Sequence, residues 1–358
     1  YSEKLLEETK KVVELQKECG IDVLVSGELN RDNYMSYVAE MVDGIKLLSM
    51  NDLKEITTNL ESFNKSLEEM DAADNTMNSP ICYSKIDTTR RLNELEVHNF
   101  QKFIDRDYKV TLPSPYLLTR SMWLREITGK VYEGRKELGQ DVIELLKNEI
   151  RHLVEEGVKI IQIDEPILSE VVFTNEKADN SFYWGALSEK VKVDKELKFA
   201  RELLEPVLEE IRKHNGVLSI MHVCRGNWTT DESVLLQGAY DKLGKFFDAL
   251  DLDMLALEFS TPRAGEVEKL FSNNFLDTRV MLGFGCVNPR SEVIETPEEI
   301  VSRVEELLQF LPPERIWLNP DCGFATFAKR PLNPYPIIQK KLENMVAASK
   351  ILREKYCK

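Results

Sequence analysis

Four side chains in this sequence have types and positions that could bind a metal ion together. His222 and Cys224 lie two residues apart in an apolar run, Val217–Cys224, that predicts a β-strand with both side chains on the same face. Glu258 ends the next such run along the chain, and Cys322 follows the last one. One imidazole, two thiolates and one carboxylate suit Zn²⁺ in a tetrahedral site. The sequence therefore predicts a zinc site made by these four residues.

Each residue also has a simpler explanation when it is taken alone. A single histidine can be a hydrogen-bonded core residue, and a single cysteine can be a small buried hydrophobe. Metal binding is the better interpretation for the set, because every member lies at the end of a predicted strand. The sequence contains no Cys-x-x-Cys pair, so the hypothesis depends on the fold.

The charge of this ligand set indicates the chemistry that a bound zinc ion would support. Two thiolates and a carboxylate leave the zinc site with a net negative charge, which makes the ion a poor Lewis acid for activating water. Such a site is better suited to holding an incoming thiol as a nucleophilic thiolate. The ligand types therefore favour alkylation of a thiol substrate.

Acidic residues at other strand ends could bind a cationic group of that substrate. Asp164 and Glu165 follow one another at the end of a predicted strand, so strand alternation directs one side chain inward and the other outward. Glu28 follows Gly27 at the end of the first predicted strand. An inward carboxylate could bind the amine of a substrate. An acid that forms a structural ion pair with Lys or Arg is an equally good interpretation of these residues.

Short apolar runs alternate with helical patterns along most of the chain. This alternation favours a parallel sheet with helices outside it, and eight runs predict an α/β fold of the (β/α)₈ TIM-barrel type. A capping box at Thr296 and Glu299 marks the start of one helix. An open doubly wound sheet is the alternative, but no Gly-rich phosphate turn follows a run. The predicted strands are Asp22–Gly27, Ile81–Ile86, Tyr116–Ser121, Lys159–Asp164, Val217–Cys224, Met254–Phe259, Val280–Val287 and Arg315–Asn319.

The chain has 358 residues, which is more than a barrel needs. The surplus falls in two excursions, a polar stretch at Asn51–Asn78 and an aromatic-containing stretch at Phe173–Val193 that we expect at the barrel mouth. Because the sequence shows no linker, repeat or low-complexity tract, we predict a single domain over residues 1–358.

The charge balance excludes some partners. Lys and Arg number 47 and Asp and Glu number 62, so the net charge is −15. This acid excess argues against binding to nucleic acid or to an anionic membrane. The six cysteines are widely spaced and no signal peptide begins at Tyr1, so we predict a reducing, cytoplasmic location.

At these residues the chain resembles the C-terminal catalytic domain of cobalamin-independent methionine synthase, in the uroporphyrinogen decarboxylase and methionine synthase superfamily. The resemblance runs in order over most of the chain, through the five segments Asp22–Glu28, Ile160–Pro166, His222–Cys224, Leu255–Glu258 and Asn319–Gly323.

This resemblance implies a (β/α)₈ barrel with Zn²⁺ on the four residues already named. It also implies that a homocysteine thiolate accepts a methyl group from methyltetrahydropteroyl-polyglutamate. The family's homocysteine-binding acids fall on Glu28 and Asp164, and its donor-binding residues fall on Glu170 and Trp123.

The chain also departs from the family pattern. It has no room for the N-terminal barrel of the long enzyme, and the family's catalytic histidine is absent from Gly285–Pro289. A segment with a folate-contacting Arg is replaced by Asn75–Met77. The family's first strand either precedes Tyr1 or is lost, and if it precedes Tyr1, Ile81–Ile86 is an inserted hairpin. We therefore predict no catalytic residue beyond the zinc site.

The leading hypothesis is a zinc-dependent methyltransferase that makes methionine from homocysteine. Its donor would be methyltetrahydrofolate or a methylated corrinoid, possibly on a corrinoid protein, and the corrinoid needs no general acid when it leaves. The alternatives are a zinc alkyltransferase for another thiol such as coenzyme M, a metal-free decarboxylase of the same superfamily, and a metal-binding protein without activity. Glu28 and Asp164 favour an amino-acid thiol, because a sulfonate would require Arg or Lys there.

Overall fold

The computed structural model describes residues 2–56, 78–173, 192–327 and 330–357. Within these ranges the strands are β1 (Ile45–Ser49), β2 (Asn78–Cys82), β3 (Val110–Pro113), β4 (Ile160–Asp164), β5 (Leu218–Val223), β6 (Met254–Glu258), β7 (Met281–Val287) and β8 (Ile316–Pro320). The α-helices of the same ranges are α1 (Ser2–Cys19), α2 (Val38–Met41), α3 (Met50–Ile56), α4 (Glu94–Gln101), α5 (Pro115–Met122), α6 (Arg125–Thr128), α7 (Arg135–Glu155), α8 (Ile167–Phe173), α9 (Val193–Arg212), α10 (Asp241–Asp248), α11 (Leu276–Arg279), α12 (Pro297–Leu307) and α13 (Tyr335–Tyr356).

Six parallel strands form the central sheet, in the order β3-β4-β5-β6-β7-β8. Each strand lies beside the next one along the chain, and one or more helices connect them. The carboxyl ends of all six strands therefore lie at the same edge of the sheet. This order confirms the predicted alternation of strands and helices in a parallel α/β fold.

The two ends of this sheet differ from a closed barrel. Beyond β3, Leu24 makes a single parallel bridge with Tyr108, and its N–H donates to the carbonyl of Asp107 at 2.9 Å. At the other end, every residue of β8 is half-buried. Within the described ranges the sheet pairing stops at β8, so the parallel sheet is confirmed and closure into eight strands stays a prediction.

Two of the predicted strands are wrong, a third (Asp22–Gly27) is reduced to the single bridge at Leu24, and β3 was not predicted. Residues Ile81–Ile86 do not join the parallel sheet, because β2 pairs antiparallel with β1 as a separate hairpin. This is the inserted hairpin considered above. Residues Tyr116–Ser121 belong to helix α5, where Ser114 caps the N–H of Leu117 at 3.0 Å. Almost all of α5 is buried, so its sequence lacks the polar face that distinguishes a helix from a buried strand.

Apolar side chains fill both faces of the sheet. On the inner face, Ile160, Ile220, Met254 and Ala256 form a cluster that Trp317 packs against. On the outer face, a larger core joins the sheet to helices that include α7, α9 and α12. The predicted helix start at Thr296 is confirmed, since Thr296 and Glu299 make both hydrogen bonds of a capping box.

Most of the two predicted excursions lies outside the described residues. The first contributes α3 at its start and the first residue of β2 at its end. The second contributes the last residue of α8 and the beginning of α9. Among the described residues, none of the helices is both long and apolar enough to cross a membrane.

Candidate metal centre and substrate site

The candidate metal ligands converge at the carboxyl edge of the sheet. One ligand atom each from His222, Cys224 and Cys322 lies within 4.8 Å of the others. The Cys322 sulfur is 3.5 Å from His222 Nε2 and 3.4 Å from Glu258 Oε1. Ligands of a tetrahedral zinc ion stand about 3.3 to 3.8 Å apart. The donors thus fit such an ion in type, and the two separations measured at Cys322 fit it in spacing.

The orientation of His222 leaves one ring nitrogen available. Its Nδ1 lies 2.9 Å from the carbonyl oxygen of Ala256, so Nε2 faces the cysteine sulfurs. A backbone carbonyl on one ring nitrogen is the usual way in which proteins orient a metal-binding histidine. Burial would lower the pKa of His222, but the Cys224 sulfur and the Asp164 carboxylate raise it to about 9.

The two thiols have opposite tendencies to ionise. Hydrogen bonding from Cys322, and then from His222, holds the pKa of Cys224 well below its usual range in spite of burial. Burial, together with the neighbouring Cys224, raises the pKa of Cys322. The pair therefore already favours one thiolate, which is the form that binds a metal.

Glu258 lies beside this group and is surrounded by arginines. Its side chain is 1% exposed, and guanidinium nitrogens of Arg225, Arg263 and Arg290 lie 3.5, 3.6 and 3.5 Å from its oxygens. Burial raises the pKa of Glu258, but the three arginines outweigh burial and lower it. Glu258 therefore stays ionised although it is buried.

Other acids balance these arginines. Arg290 donates to Asp321 at 2.9 Å and to Glu232 at 3.0 Å. Asp321 also accepts the backbone N–H groups of Phe259 and Ser260 at 3.1 and 3.0 Å, which ties the residue before Cys322 to the end of β6. Sequence patterns do not reveal this arginine cluster, because its members lie between the strands, where no strand period predicts the direction of a side chain.

Asp164 is buried on the same side of the sheet as the candidate ligands. Its Oδ1 accepts from Gln162 Nε2 at 2.8 Å, and Gln162 in turn accepts from Lys109. Burial raises the pKa of Asp164 to about 6, with His222 lowering it and Glu28 raising it. The Asp164 carboxylate therefore lies close enough to Glu28 and His222 for both charges to shift its pKa.

Glu165 points to the opposite face, as strand alternation predicts. It is fully buried and accepts hydrogen bonds from the Ser114 hydroxyl and, at 3.1 Å, from the N–H of Ile167. Burial raises its pKa to about 8. These contacts hold the first turn of α8 against α5, so Glu165 is a structural acid.

Glu28 reaches the site from the loop after Leu24. Its carboxylate accepts from the Thr111 hydroxyl and lies 3.3 Å from an Arg31 nitrogen, and its side chain is 32% exposed. Both Gly27 and Glu28 have positive φ angles, of 79° and 55°. A non-glycine residue pays conformational free energy for that geometry.

The two predicted donor-binding residues lie in the layer around α5. Glu170 is buried and receives a hydrogen bond from Arg120 at 3.2 Å, and burial raises its pKa although Arg120 lowers it. Trp123 follows α5 and is half-buried. The assignment of both residues to a methyl donor stays a prediction.

The stretch Gly285–Pro289, at the end of β7 and directly after it, contains no histidine, and its cysteine is a poor proton donor. Cys286 is buried, its thiol donates to the carbonyl of Asn319 at 3.5 Å, and burial raises its pKa to about 12. Asn288 donates to Glu232 at 2.7 Å. Both side chains are thus held by contacts within the protein.

The sequence matches one protein family over most of its length. Residues 1–198 and 222–351 match the family model described as the catalytic domain of cobalamin-independent synthase. A methionine synthase of Saccharolobus solfataricus is 27% identical over 337 residues, which cover 94% of this chain and 80% of that protein. A 5-methyltetrahydropteroyltriglutamate–homocysteine methyltransferase of Thermotoga petrophila is 24% identical over 99% of this chain, which spans 40% of that protein.

A solved structure also shares the fold. The structure of a B12-independent methionine synthase from Shewanella sp. W3-18-1, in complex with selenomethionine, has a TM-score of 0.72 against this chain. The likeness covers 98% of this chain and 88% of that one, at 18% identity.

Proposed function

This chain belongs to the family of cobalamin-independent synthase catalytic domains, and we propose that it transfers a methyl group to the thiol of homocysteine, forming methionine. Relatives named methionine synthase support this reaction. The observation that carries the proposal is the convergence of His222, Cys224 and Cys322 beside the buried carboxylate of Asp164.

The ligand set supports zinc as the metal, with Glu258 completing the nitrogen and sulfur group. Imidazole and thiolate ligands at these separations suit zinc better than the hard cations Mg²⁺ or Ca²⁺, which prefer oxygen. Zinc bound there would lower the pKa of an incoming thiol and keep its thiolate nucleophilic. The three arginines around Glu258 keep this carboxylate ionised and fix its position.

The acids of the site supply recognition of an amino-acid thiol. Asp164 and Glu28 place two negative charges near the candidate metal ligands, and an α-ammonium group would relieve their repulsion. A sulfonate thiol such as coenzyme M would increase that repulsion. The charge of the nearby Arg290 is already balanced by Glu258, Asp321 and Glu232, so Arg290 offers little attraction to a sulfonate thiol or to the polyanionic substrate of a decarboxylase.

The transfer itself is a displacement at carbon. A bond forms between the substrate sulfur and the methyl carbon, while the bond from that carbon to the donor nitrogen or cobalt breaks and its electron pair leaves with the donor. A departing folate amine must also gain a proton, whereas a cobalt leaving group need not. The raised pKa of the buried Cys286 thiol makes it a poor proton donor, which favours the corrinoid on this point. The family description, cobalamin-independent synthase, and the name of the Thermotoga petrophila relative favour the folate.

The remaining proposals concern the fold and the donor. We propose that the parallel sheet belongs to a single (β/α)₈ barrel, supported by the consecutive strand order and by the parallel bridge at Leu24. We also assign donor binding to Glu170 and Trp123, and a cytoplasmic location to the protein.

A methyl-transfer assay tests the proposed function. Zinc-loaded protein is incubated with homocysteine and either methylcobalamin or methyltetrahydrofolate, and methionine is measured by mass spectrometry. We expect methionine from at least one donor and little methylation of coenzyme M, with Cys322→Ser as the inactive control. Absence of methionine with both donors, or faster methylation of coenzyme M, would contradict the proposal.

A further inference from the structure

Arg31 is a buried cation directly beside a carboxylate of the substrate site. Its side chain is 1% exposed, and its guanidinium group binds both oxygens of Glu96, at 2.8 and 3.0 Å. Another nitrogen of the same group lies 3.3 Å from Glu28 Oε1. One guanidinium group thus joins a fully enclosed acid to an acid that reaches the site.

Thr111 completes this connection. It lies on β3, and both its hydroxyl and its carbonyl accept hydrogen bonds from Arg31 at 3.1 Å. The Thr111 hydroxyl in turn donates to Glu28 Oε1. Arg31 is therefore fixed to strand β3, and its ion pair with Glu28 restrains the position of this loop residue.

The backbone at Glu28 requires such support. Gly27 and Glu28 are consecutive residues with positive φ, and a Cβ atom at Gly27 would lie 2.8 Å from Val12 Cγ1. The N–H of Glu28 donates to Ser26 Oγ at 3.1 Å, and Ser26 Oγ donates to Glu96 at 2.8 Å. A strained conformation persists only where the surroundings hold it, and here Glu96 and Arg31 both do so.

The charges of Arg31, Glu96 and Glu28, taken together, allow Glu28 to attract a cation. Glu96 engages two nitrogens of Arg31, so most of the guanidinium charge is balanced within the protein. Arg31, Glu96 and Glu28 together keep one net negative charge, and Glu28 is the more exposed of the two acids. The contacts of the Glu28 side chain fall on Oε1, which leaves Oε2 for a ligand.

We propose that Arg31, held by Glu96 and Thr111, is a positioning residue that fixes the Glu28 carboxylate for the α-ammonium group of the thiol substrate. This inference rests on the proposed function, since it assumes an amino-acid thiol. It adds a selection step: the group discriminates in favour of thiols that carry an ammonium group.

Two thiols that differ only in that group provide the test. The dissociation constants of homocysteine and of 4-mercaptobutyrate, which lacks the amino group, are measured by calorimetry on zinc-loaded protein. Wild type should bind homocysteine about tenfold or more tightly than 4-mercaptobutyrate, as expected for a charge-assisted hydrogen bond. Arg31→Met should reduce this preference to about threefold or less, with 4-mercaptobutyrate binding changed by less than about twofold.

Three further variants separate positioning from general loss of structure. Thr111→Val removes only the hydroxyl and should also reduce the preference, which keeps the test decisive if Arg31→Met fails to fold. Glu96→Gln should reduce the preference too, because Arg31 can then neutralise Glu28. Arg151→Met is the matched control, since Arg151 binds the buried Glu210 at 3.0 Å by the same chemistry between helices α7 and α9, and it should keep the wild-type preference.

The outcomes distinguish the two proposals. An unchanged preference in Thr111→Val and in a folded Arg31→Met protein would overturn the positioning role of Arg31. Equal weakening of both thiols in these variants would also overturn it, because that is the result of a merely structural role. Failure of wild type to methylate or bind either thiol would instead overturn the proposed function.

Discussion

Asp164 and His222 occupy paired positions on neighbouring parallel strands, β4 and β5. A carboxylate and a candidate metal ligand therefore stand side by side at the same edge of the sheet. This placement would put the sulfur of an amino-acid thiol near the metal ligands while its ammonium group reaches the carboxylate. Substrate recognition and metal binding can consequently be separated by mutation.

Asp164→Asn should weaken homocysteine binding without removing zinc. The amide keeps the size of the side chain but loses the charge, and a hydrogen bond to a charged group is worth about 1.5–3 kcal/mol, so the dissociation constant should rise roughly 10- to 100-fold. Calorimetry gives the affinity, and elemental analysis gives the zinc content.

The matched control for this variant is Asp253→Asn. Asp253 is exposed at the amino end of β6, where it accepts from Ser219 at 2.8 Å, so its substitution should change neither quantity. If Asp164→Asn lost zinc and homocysteine binding together, Asp164 would be a structural acid of the metal centre.

Cys322→Ser should lose most of its zinc. Cys322 is the residue that approaches both His222 and Glu258, and loss of a direct ligand should cost more than the roughly 10- to 100-fold in affinity that outer-shell changes cost. Zinc is counted by mass spectrometry after dialysis against a chelator, and circular dichroism confirms folding.

Cys357→Ser is the control, because Cys357 is exposed near the end of the described chain. It should retain about one zinc ion per chain, as wild type is expected to do. Full zinc retention by folded Cys322→Ser protein would remove Cys322 from the site.

The convergence of three candidate ligands could be predicted from the sequence because strand periodicity is simple. Residues that are two apart on one strand share a face, and the carboxyl ends of parallel strands meet at one edge of the sheet. These two rules predicted that His222, Cys224 and Cys322 lie together, as they do. Glu258 lies beside them, but it also binds arginines that the sequence pattern did not predict.

The errors also have a physical origin. Periodicity reports burial, and α5 is buried on nearly every side, so its apolar run resembled a strand. The run at Ile81 is apolar because its hairpin packs into the core, which says nothing about which sheet it joins. The role of Arg31 was not predicted, because only its partners show that it is buried and positioned. Those partners, Glu96 and Thr111, are distant from it in the sequence.

Homocysteine binding should release a proton near neutral pH. A free thiol has a pKa of about 8.5, so binding as a thiolate at pH 7 displaces close to one proton. Calorimetry in two buffers of different ionisation enthalpy measures the number released, since the apparent binding enthalpy shifts in proportion. The zinc-depleted protein should show no such shift. Equal enthalpies in both buffers for zinc-loaded protein would mean that the thiol stays protonated.

Glu165→Gln should alter the pH dependence of stability without affecting the metal. Burial raises the pKa of Glu165 from 4.5 to about 8, so folding favours its protonated form. This stabilisation is complete below the unfolded pKa and is lost as the pH rises through the folded one.

Between pH 5 and pH 8 the unfolding free energy of wild type should therefore fall by roughly 3 kcal/mol from this group alone. Glutamine cannot ionise, so Glu165→Gln should lose this slope and gain stability relative to wild type at high pH. Urea unfolding at pH 5, 6.5 and 8 measures the difference. Glu133→Gln, at a position outside the core, is the control and should follow wild type. Parallel curves for wild type and Glu165→Gln would show that Glu165 is ionised in the folded protein throughout this range.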